Sequence, residues 1–237
     1  MFSFKQFTIQ QDHCAMKVGT DGVLLGAWTP VSHNPSSILD IGAGTGLLSL
    51  MLAQRSSAEQ IDAVEIDDGA YEQCVENFEA SNWNDRLFCY HASIEDFTDE
   101  MFEEGEEYDL IVSNPPFYSE NYTSGDHKRD QARFQESLPF EELIECAQAL
   151  LSDEGVFAVI IPYKEEARFT DLAASVNLFP FRITRMKGTP ATEIKRSLMA
   201  FSRSDQPADT DELVIEEERH AYTQAYKNLT KDFYLRF

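Results

Sequence analysis

The sequence predicts an α/β domain: a mostly parallel sheet of seven strands, helices on both faces, and an antiparallel hairpin at its end. Three observations predict it. Apolar runs and amphipathic segments alternate from Ser36 to Asn177. The apolar runs are continuous, as in strands buried on both faces, and do not alternate with polar residues. Two further strand-like segments, "LFPFRITRMKG" and "RSLMAFSRS", then follow each other with little room for a crossover helix, so they must pair antiparallel. At 237 residues the chain is expected to form one domain, residues 1–237.

The elements read in order. "FKQFTIQQ" alternates like a strand, and "GTDGVLLGAW" reads as a glycine-flanked turn into an apolar segment. Both stand outside the alternation, so residues 1–35 are read as an N-terminal extension. "SSILDIG" is the first strand of the sheet and "GLLSLMLAQRS" a helix. "QIDAVEID" is a second strand. "GAYEQCVENFEASN" is a helix with Tyr71, Val75 and Phe78 on one face. "RLFCYHAS" and "YDLIVSN" are the third and fourth strands. "FEELIECAQALLSDEG" is a helix, "VFAVIIP" the fifth strand, and Lys164 to Asn177 a further helix before the hairpin. The polar segment 118–137 is long for a loop in a compact domain, and such loops are usually functional or disordered.

Charge and cysteines exclude several classes. Lys and Arg total 19 against 42 Asp and Glu, a formal net charge of −23. That field repels phosphates and argues against general nucleic-acid binding. The acids crowd segments such as "DEMFEEGEE" (Asp99 to Glu107), which reads as a solubilising face. No apolar run reaches membrane-spanning length, and the first residues carry no basic-then-apolar leader, so no membrane partner is expected. Cys14, Cys74, Cys89 and Cys146 stand far apart without a C-x-x-C pair, which points to a reduced, cytoplasmic chain with no disulfide and no metal.

The chemistry concentrates after two strands. "DIGAGTG" puts Asp40 at the end of the first strand, followed by Gly42, Gly44 and Gly46. A glycine loop between strand and helix, at the carboxyl end of a parallel sheet, is a cofactor position. A dinucleotide fingerprint needs a third glycine where Leu47 stands, so an NAD-dependent oxidoreductase is a poor fit. The loop and the acid before it resemble the first motif of Rossmann-like class I S-adenosylmethionine-dependent methyltransferases. The resemblance implies S-adenosylmethionine as methyl donor. Glu65, ending "AVEID", is then placed to accept both ribose hydroxyls, one on each carboxylate oxygen. The family commonly has an acid where Ser93 stands, reaching the cofactor's adenine amine. Serine still accepts a hydrogen bond, and Asp96 is the next candidate.

The fourth strand runs into "NPPFY". Two prolines end sheet pairing and stiffen the backbone there. An exocyclic amine is a poor nucleophile, because its lone pair is delocalised into the ring. Two acceptors aimed at its N–H bonds favour the pyramidal geometry needed for attack. Asn114 supplies a side-chain carbonyl, Pro115 a main-chain carbonyl held by Pro116, and Phe117 a face for stacking. The motif resembles the N-P-P-[FY] amino-methyltransferases. With "KVGTDGVLLGAW" and "SGDHKRDQARFQESLPFEEL" it resembles one bacterial group, the tRNA1(Val) (adenine(37)-N6)-methyltransferases. The resemblance implies methylation of the adenine N6 amine beside the anticodon, and places Thr20 and Asp21, in the extension, near the cofactor's methionine end. The loop 118–137 would lie on the substrate side.

The tRNA partner implied by this resemblance must be bound locally, against the general field. Lys128, Arg129 and Arg133 lie after the catalytic motif, and Lys227, Lys231 and Arg236 end the chain among Tyr222, Tyr226 and Tyr234. Arg185, Lys187, Lys195 and Arg196 flank the hairpin. Aromatics among cations suit unstacked bases and phosphates. The rival readings are an N-P-P-[FY] enzyme acting on guanine of ribosomal RNA or on a protein glutamine, and a cofactor-binding scaffold without turnover.

Overall fold

The computed structural model describes residues 1–14, 16–116 and 138–236. Phe117, Lys128, Arg129, Arg133 and the loop 118–137 lie outside the described residues. In chain order the strands are β1 (Phe2–Ser3), β2 (Thr8–Ile9), β3 (Ser37–Ile41), β4 (Gln60–Glu65), β5 (Leu87–His91), β6 (Tyr108–Ser113), β7 (Leu151–Pro162), β8 (Phe179–Lys187), β9 (Ile194–Ser202), β10 (Asp209–Val214), β11 (Glu216–Glu218) and β12 (Ala221–Tyr222). The helices are α1 (Thr20–Trp28), α2 (Leu47–Arg55), α3 (Asp68–Glu79), α4 (Ile94–Glu104), α5 (Phe140–Leu150), α6 (Glu166–Ser175) and α7 (Gln224–Thr230).

The main sheet has the order β10-β8-β9-β7-β6-β3-β4-β5. Strands β7, β6, β3, β4 and β5 run parallel, and β9 is antiparallel to both β7 and β8. Helix-covered parallel strands and the closing hairpin are as expected. The strand count is not: the sheet has eight strands where seven were expected. The eighth, β10, pairs parallel to β8 from Asp209↔Arg182 to Val214↔Lys187. Its sequence, "DTDELV", is acidic and mostly exposed. An edge strand needs no apolar run, and charge there blunts pairing with other chains.

Residue parity divides the core. Ile38, Leu110, Val112, Ala158 and Ile160 face one side and pack under α1, α2, α3 and α7. Leu39, Ile41, Ile111, Val159 and Ile161 face the other and pack under α4, α5 and α6. Alternate side chains of a strand point to opposite faces, so a strand covered twice must be apolar throughout.

Three local expectations are corrected. "GTDGVLLGAW" is not simply a turn: Thr20–Trp28 is helical, and all of Gly22 to Trp28 is buried. A helix apolar all round carries no period to betray it. Of "FKQFTIQQ" (Phe4 to Gln11) only Thr8–Ile9 is a strand, β2, and it pairs antiparallel with β1, which precedes the segment. Helix α5 ends at Leu150, and "LSDEG" belongs to β7, where the pairing with β6 shifts register between Tyr108 and Leu110.

Candidate active site

Register lines up the chemistry. Ile41 pairs with Ser113 and with Val64, and Glu65 pairs with His91. Gly42, Asn114, Glu65 and the turn holding Ser93 therefore leave four adjacent strands at one level. The Ser113 hydroxyl donates to the Ile41 carbonyl at 2.9 Å and ties the two central exits together. The chain proceeds from β3 outward to β4 and β5, but β6 lies on the opposite side of β3. Such a reversal opens a crevice beyond the strand ends, where open α/β sheets bind ligands.

The glycine loop turns through left-handed backbone, with φ of 70° at Gly42, 56° at Gly44 and 76° at Gly46. A Cβ at Gly42 or Gly44 would meet no atom within 4 Å, so that backbone faces open space. A Cβ at Gly46 would sit 2.5 Å from Phe78 Cε1 and 2.9 Å from Cys74 Sγ. The third glycine, displaced from the dinucleotide pattern, is thus needed both for its turn and for close approach to α3.

Asp40 is fully buried. Its Oδ2 accepts from the Ser49 amide at 3.1 Å and the Ser49 hydroxyl at 2.7 Å, while Oδ1 has no partner among the described residues. Burial pushes its carboxyl up to about 7, and the nearby Glu65 adds to that, against the Ser49 hydrogen bonds. Glu65 is half-buried. Its Oε2 accepts from the Gly44 amide at 2.7 Å, and its Oε1 from the amides of Ile66 and Asp67, each at 2.9 Å. Ser93 caps α4: it accepts from the Asp96 amide at 3.1 Å and donates to Asp96 Oδ2 at 2.7 Å. The two candidates for one contact are thus bonded to each other.

Asn114 is half-buried and Pro115 buried at the end of β6. The start of α1 lies against them: a Cβ on Gly22 would stand 3.7 Å from Asn114 Nδ2. Thr20 opens α1. Asp21 Oδ2 accepts from Arg196 Nε at 2.8 Å, which ties α1 to β9.

Sequence reasoning missed two buried amides and one exposed aliphatic. Asn77 holds the extension through Gln10, accepting from its amide at 2.8 Å and donating to its carbonyl at 2.9 Å, and also donates to the Thr45 carbonyl of the glycine loop at 2.9 Å. Gln73 Oε1 accepts from the amides of Asp12 and His13. Their signal was polar residues four apart on the buried side of α3, beside Cys74 and Phe78. Ile66, next to Glu65, is 56% exposed. Among the described residues no group of three or more His, Cys, Asp or Glu is placed to hold a metal ion.

The profile of the methyltransferase small domain family matches residues 22–177. The tRNA1(Val) (adenine(37)-N6)-methyltransferase of Flavobacterium johnsoniae is 64% identical over 237 residues, covering 100% of both chains. That of Bacteroides fragilis is 43% identical, covering 99% of this chain and 98% of its own. The chain belongs to the tRNA1(Val) (adenine(37)-N6)-methyltransferase family. Among solved structures, a predicted O-methyltransferase from Agrobacterium tumefaciens shares the fold at a TM-score of 0.69 and 20% identity, over 90% of this chain and 96% of that one. An O-methyltransferase from Bacillus cereus, in complex with SAH, does so at 0.55 and 18%, over 79% and 83%.

The cations expected to meet tRNA are sorted by the fold of this family member. Arg185 is held by Glu166, with Nη2 donating at 2.7 Å, and Lys187 by Glu212 at 2.8 Å. Arg196, Lys195 and Arg236 converge with Tyr222, Tyr226 and Tyr234 on one cavity, to which Thr20 and Asp21 also contribute. Lys227 and Lys231 lie on or just after α7 and do not line it. No helix among the described residues is long and apolar enough to cross a membrane.

Proposed function

We infer that the protein methylates the exocyclic N6 amine of adenine 37 in tRNA1(Val), using S-adenosylmethionine, as a single cytoplasmic domain. The observation that carries this reading is the side-by-side exit of Gly42 and Asn114 from β3 and β6, set by the Ile41↔Ser113 register. A glycine loop for the methyl donor and an Asn-Pro-Pro turn for the amine then share one crevice. The full-length relatives named for this reaction support the substrate.

The residues fit the donor. Open space lies over Gly42 and Gly44, Glu65 offers acceptors at the end of β4, and the exposed Ile66 beside it offers an aliphatic surface to a flat heterocycle. S-adenosylmethionine supplies, when bound, an activated methyl group on a sulfonium. Glu65 takes a ribose hydroxyl with the acceptor site its amide bonds leave on Oε2, and takes the second hydroxyl in place of one of the two amides on Oε1. Asp40 holds the first turn of α2 through Ser49, and a cationic donor above the loop favours its carboxylate form. Thr20 and Asp21 close the methionine end from α1, and residues 1–35 are strapped over this pocket by Gln73 and Asn77. Asp96, oriented by Ser93, takes the adenine amine.

For the target base, the Asn114 side-chain oxygen and the Pro115 carbonyl accept the two amine N–H bonds, and Phe117 stacks on the ring. Positioning supplies most of the acceleration. The chemistry needs no metal, because the methyl is already activated and the amine's proton leaves after transfer. Lys128, Arg129 and Arg133 on the substrate-side loop 118–137, with Lys227, Lys231 and Arg236, hold the tRNA backbone.

Labelled-methyl transfer into total tRNA, ribosomal RNA and protein, followed by nucleoside and amino-acid analysis, tests this reading. N6-methyladenosine in valine tRNA is the expected product. Methylguanosine in ribosomal RNA or methylglutamine in protein would replace it with the corresponding rival.

A further inference from the structure

A cavity of about 550 Å³ opens beside the start of α1, within the size range of small-ligand pockets. It lies between the start of α1, the β8–β9 hairpin and the C-terminal segment. It adjoins the candidate active site through α1. Thr20 and Asp21 line it, and Gly22, the next residue, lies against Asn114.

Its lining runs against the character of the chain. Lys187, Lys195, Arg196 and Arg236 face Asp21 and Glu216 there, in a protein of net charge −23. Arg196 neutralises Asp21, and Lys187 is held by Glu212. Lys195 and Arg236 make no ion pair among the described residues. Three tyrosines also line the cavity. Tyr222 stacks on Tyr226, centroids 5.1 Å apart and planes 28° apart, and the Tyr226 and Tyr234 hydroxyls are 3.4 Å apart. Tyr222 remains 36% exposed. Rigid aromatic faces beside cations recognise one chemistry well: an unstacked nucleotide, base on the ring and phosphate on the cations.

We propose that this cavity is a subsite for the nucleotide next to the methylated adenine, with Tyr222 against its base and Lys195 and Arg236 on its phosphates. The proposal rests on the tRNA reading above. The physical need is clear. Bringing a base to Asn114 takes it out of its stack, which is unfavourable and strips a neighbour of its partner. A second aromatic platform, in a cavity that meets the Asn114 turn across the start of α1, offsets that cost by restacking the neighbour. A tyrosine face accepts any base, so the subsite supplies affinity and geometry more than sequence readout.

The test uses the full chain and a tRNA assembled from two RNA halves, either intact or with an abasic nucleotide beside the target adenine. Tyr222→Ala should raise KM for intact tRNA roughly ten- to hundred-fold, in line with the loss of one base–aromatic stack. Tyr222→Phe keeps the ring and should restore KM. Affinity for S-adenosylmethionine, read by calorimetry, should not change in either variant. The abasic tRNA should raise KM of the parent enzyme by a similar factor, and raise that of Tyr222→Ala no further. Lys195→Glu should lower tRNA affinity and flatten its dependence on log salt by roughly 0.7–0.9 or more. An abasic penalty of equal size in the parent and in Tyr222→Ala overturns the subsite, as does an unchanged KM for Tyr222→Ala. Failure of the tRNA reading itself shows separately, as a parent enzyme that methylates no tRNA.

Discussion

The Gly44 amide donates to Glu65 Oε2 at 2.7 Å, so the side chain that ends β4 holds the loop that follows β3. The other oxygen of Glu65 holds the amides of Ile66 and Asp67. One carboxylate thus holds both the glycine loop and the turn after β4.

Glu65→Ala should weaken S-adenosylmethionine binding about ten- to hundred-fold, since a hydrogen bond to a charged group contributes roughly 1.5–3 kcal/mol. Glu65→Gln, which keeps one acceptor, should lose less. Calorimetry gives both values, and an unchanged affinity for Glu65→Ala would remove this residue from the site.

Asp40 should make both stability and binding depend on pH. Its carboxyl titrates near about 7 in the folded chain against 3.8 when unperturbed, chiefly because it is buried. A raised carboxyl binds more protons folded than unfolded. Its contribution therefore stabilises at low pH and is lost as pH rises from about 4 to about 7, by something on the order of 4 kcal/mol. Asp40→Asn should remove that slope, which denaturant unfolding at pH 5 and pH 8 will show. A cationic donor favours the carboxylate, so affinity for S-adenosylmethionine should rise with pH through about 7 and bind with proton release. Calorimetry in buffers of different ionisation enthalpy reads that release, and its absence would place Asp40 outside the field of the donor.

Asn114→Ala should act on the chemical step. Losing one preorganised transition-state contact costs about 3–4 kcal/mol, on the order of a hundred- to thousand-fold in rate. Single-turnover methylation should fall by that factor while cofactor affinity stays near the parent value. A normal single-turnover rate would rule out the assigned role.

Gly46→Ala and Gly42→Ala separate turn strain from packing. Both positions have positive φ, which costs a residue with a side chain about 1–2 kcal/mol. Only at Gly46 does the added methyl also meet Phe78 and Cys74. Overpacking typically adds about 1–3 kcal/mol. Gly46→Ala should therefore lower the denaturation midpoint further than Gly42→Ala; equal losses would mean that α3 gives way.

What depends on neighbouring residues could be read directly from the chain. Continuous apolar runs and short connections are local, and they sufficed for a helix-covered parallel sheet with a hairpin. The glycines of "DIGAGTG" free their own backbone for positive φ and the prolines after Asn114 fix theirs, so both turns were legible at their positions. Where local patterning is silent, legibility ended. Helix α1 is buried all round, and β10 is an acidic edge, so neither carries the period of its class. Tertiary structure decided which groups meet. Gly42 stands beside Asn114 because β3 pairs with β6 across about seventy residues of chain, a choice of strand order that no window of sequence contains. The partners of charged groups were decided the same way. Asp40 turned to Ser49, Asp21 took Arg196, Ser93 took Asp96, and Arg185 was claimed by Glu166. Of the hairpin and C-terminal cations, the fold left Lys195 and Arg236 at the tyrosine cavity without an acidic partner among the described residues. The physical reason is that periodicity specifies which face a side chain occupies, while its partner across the fold is set by register and packing between distant segments.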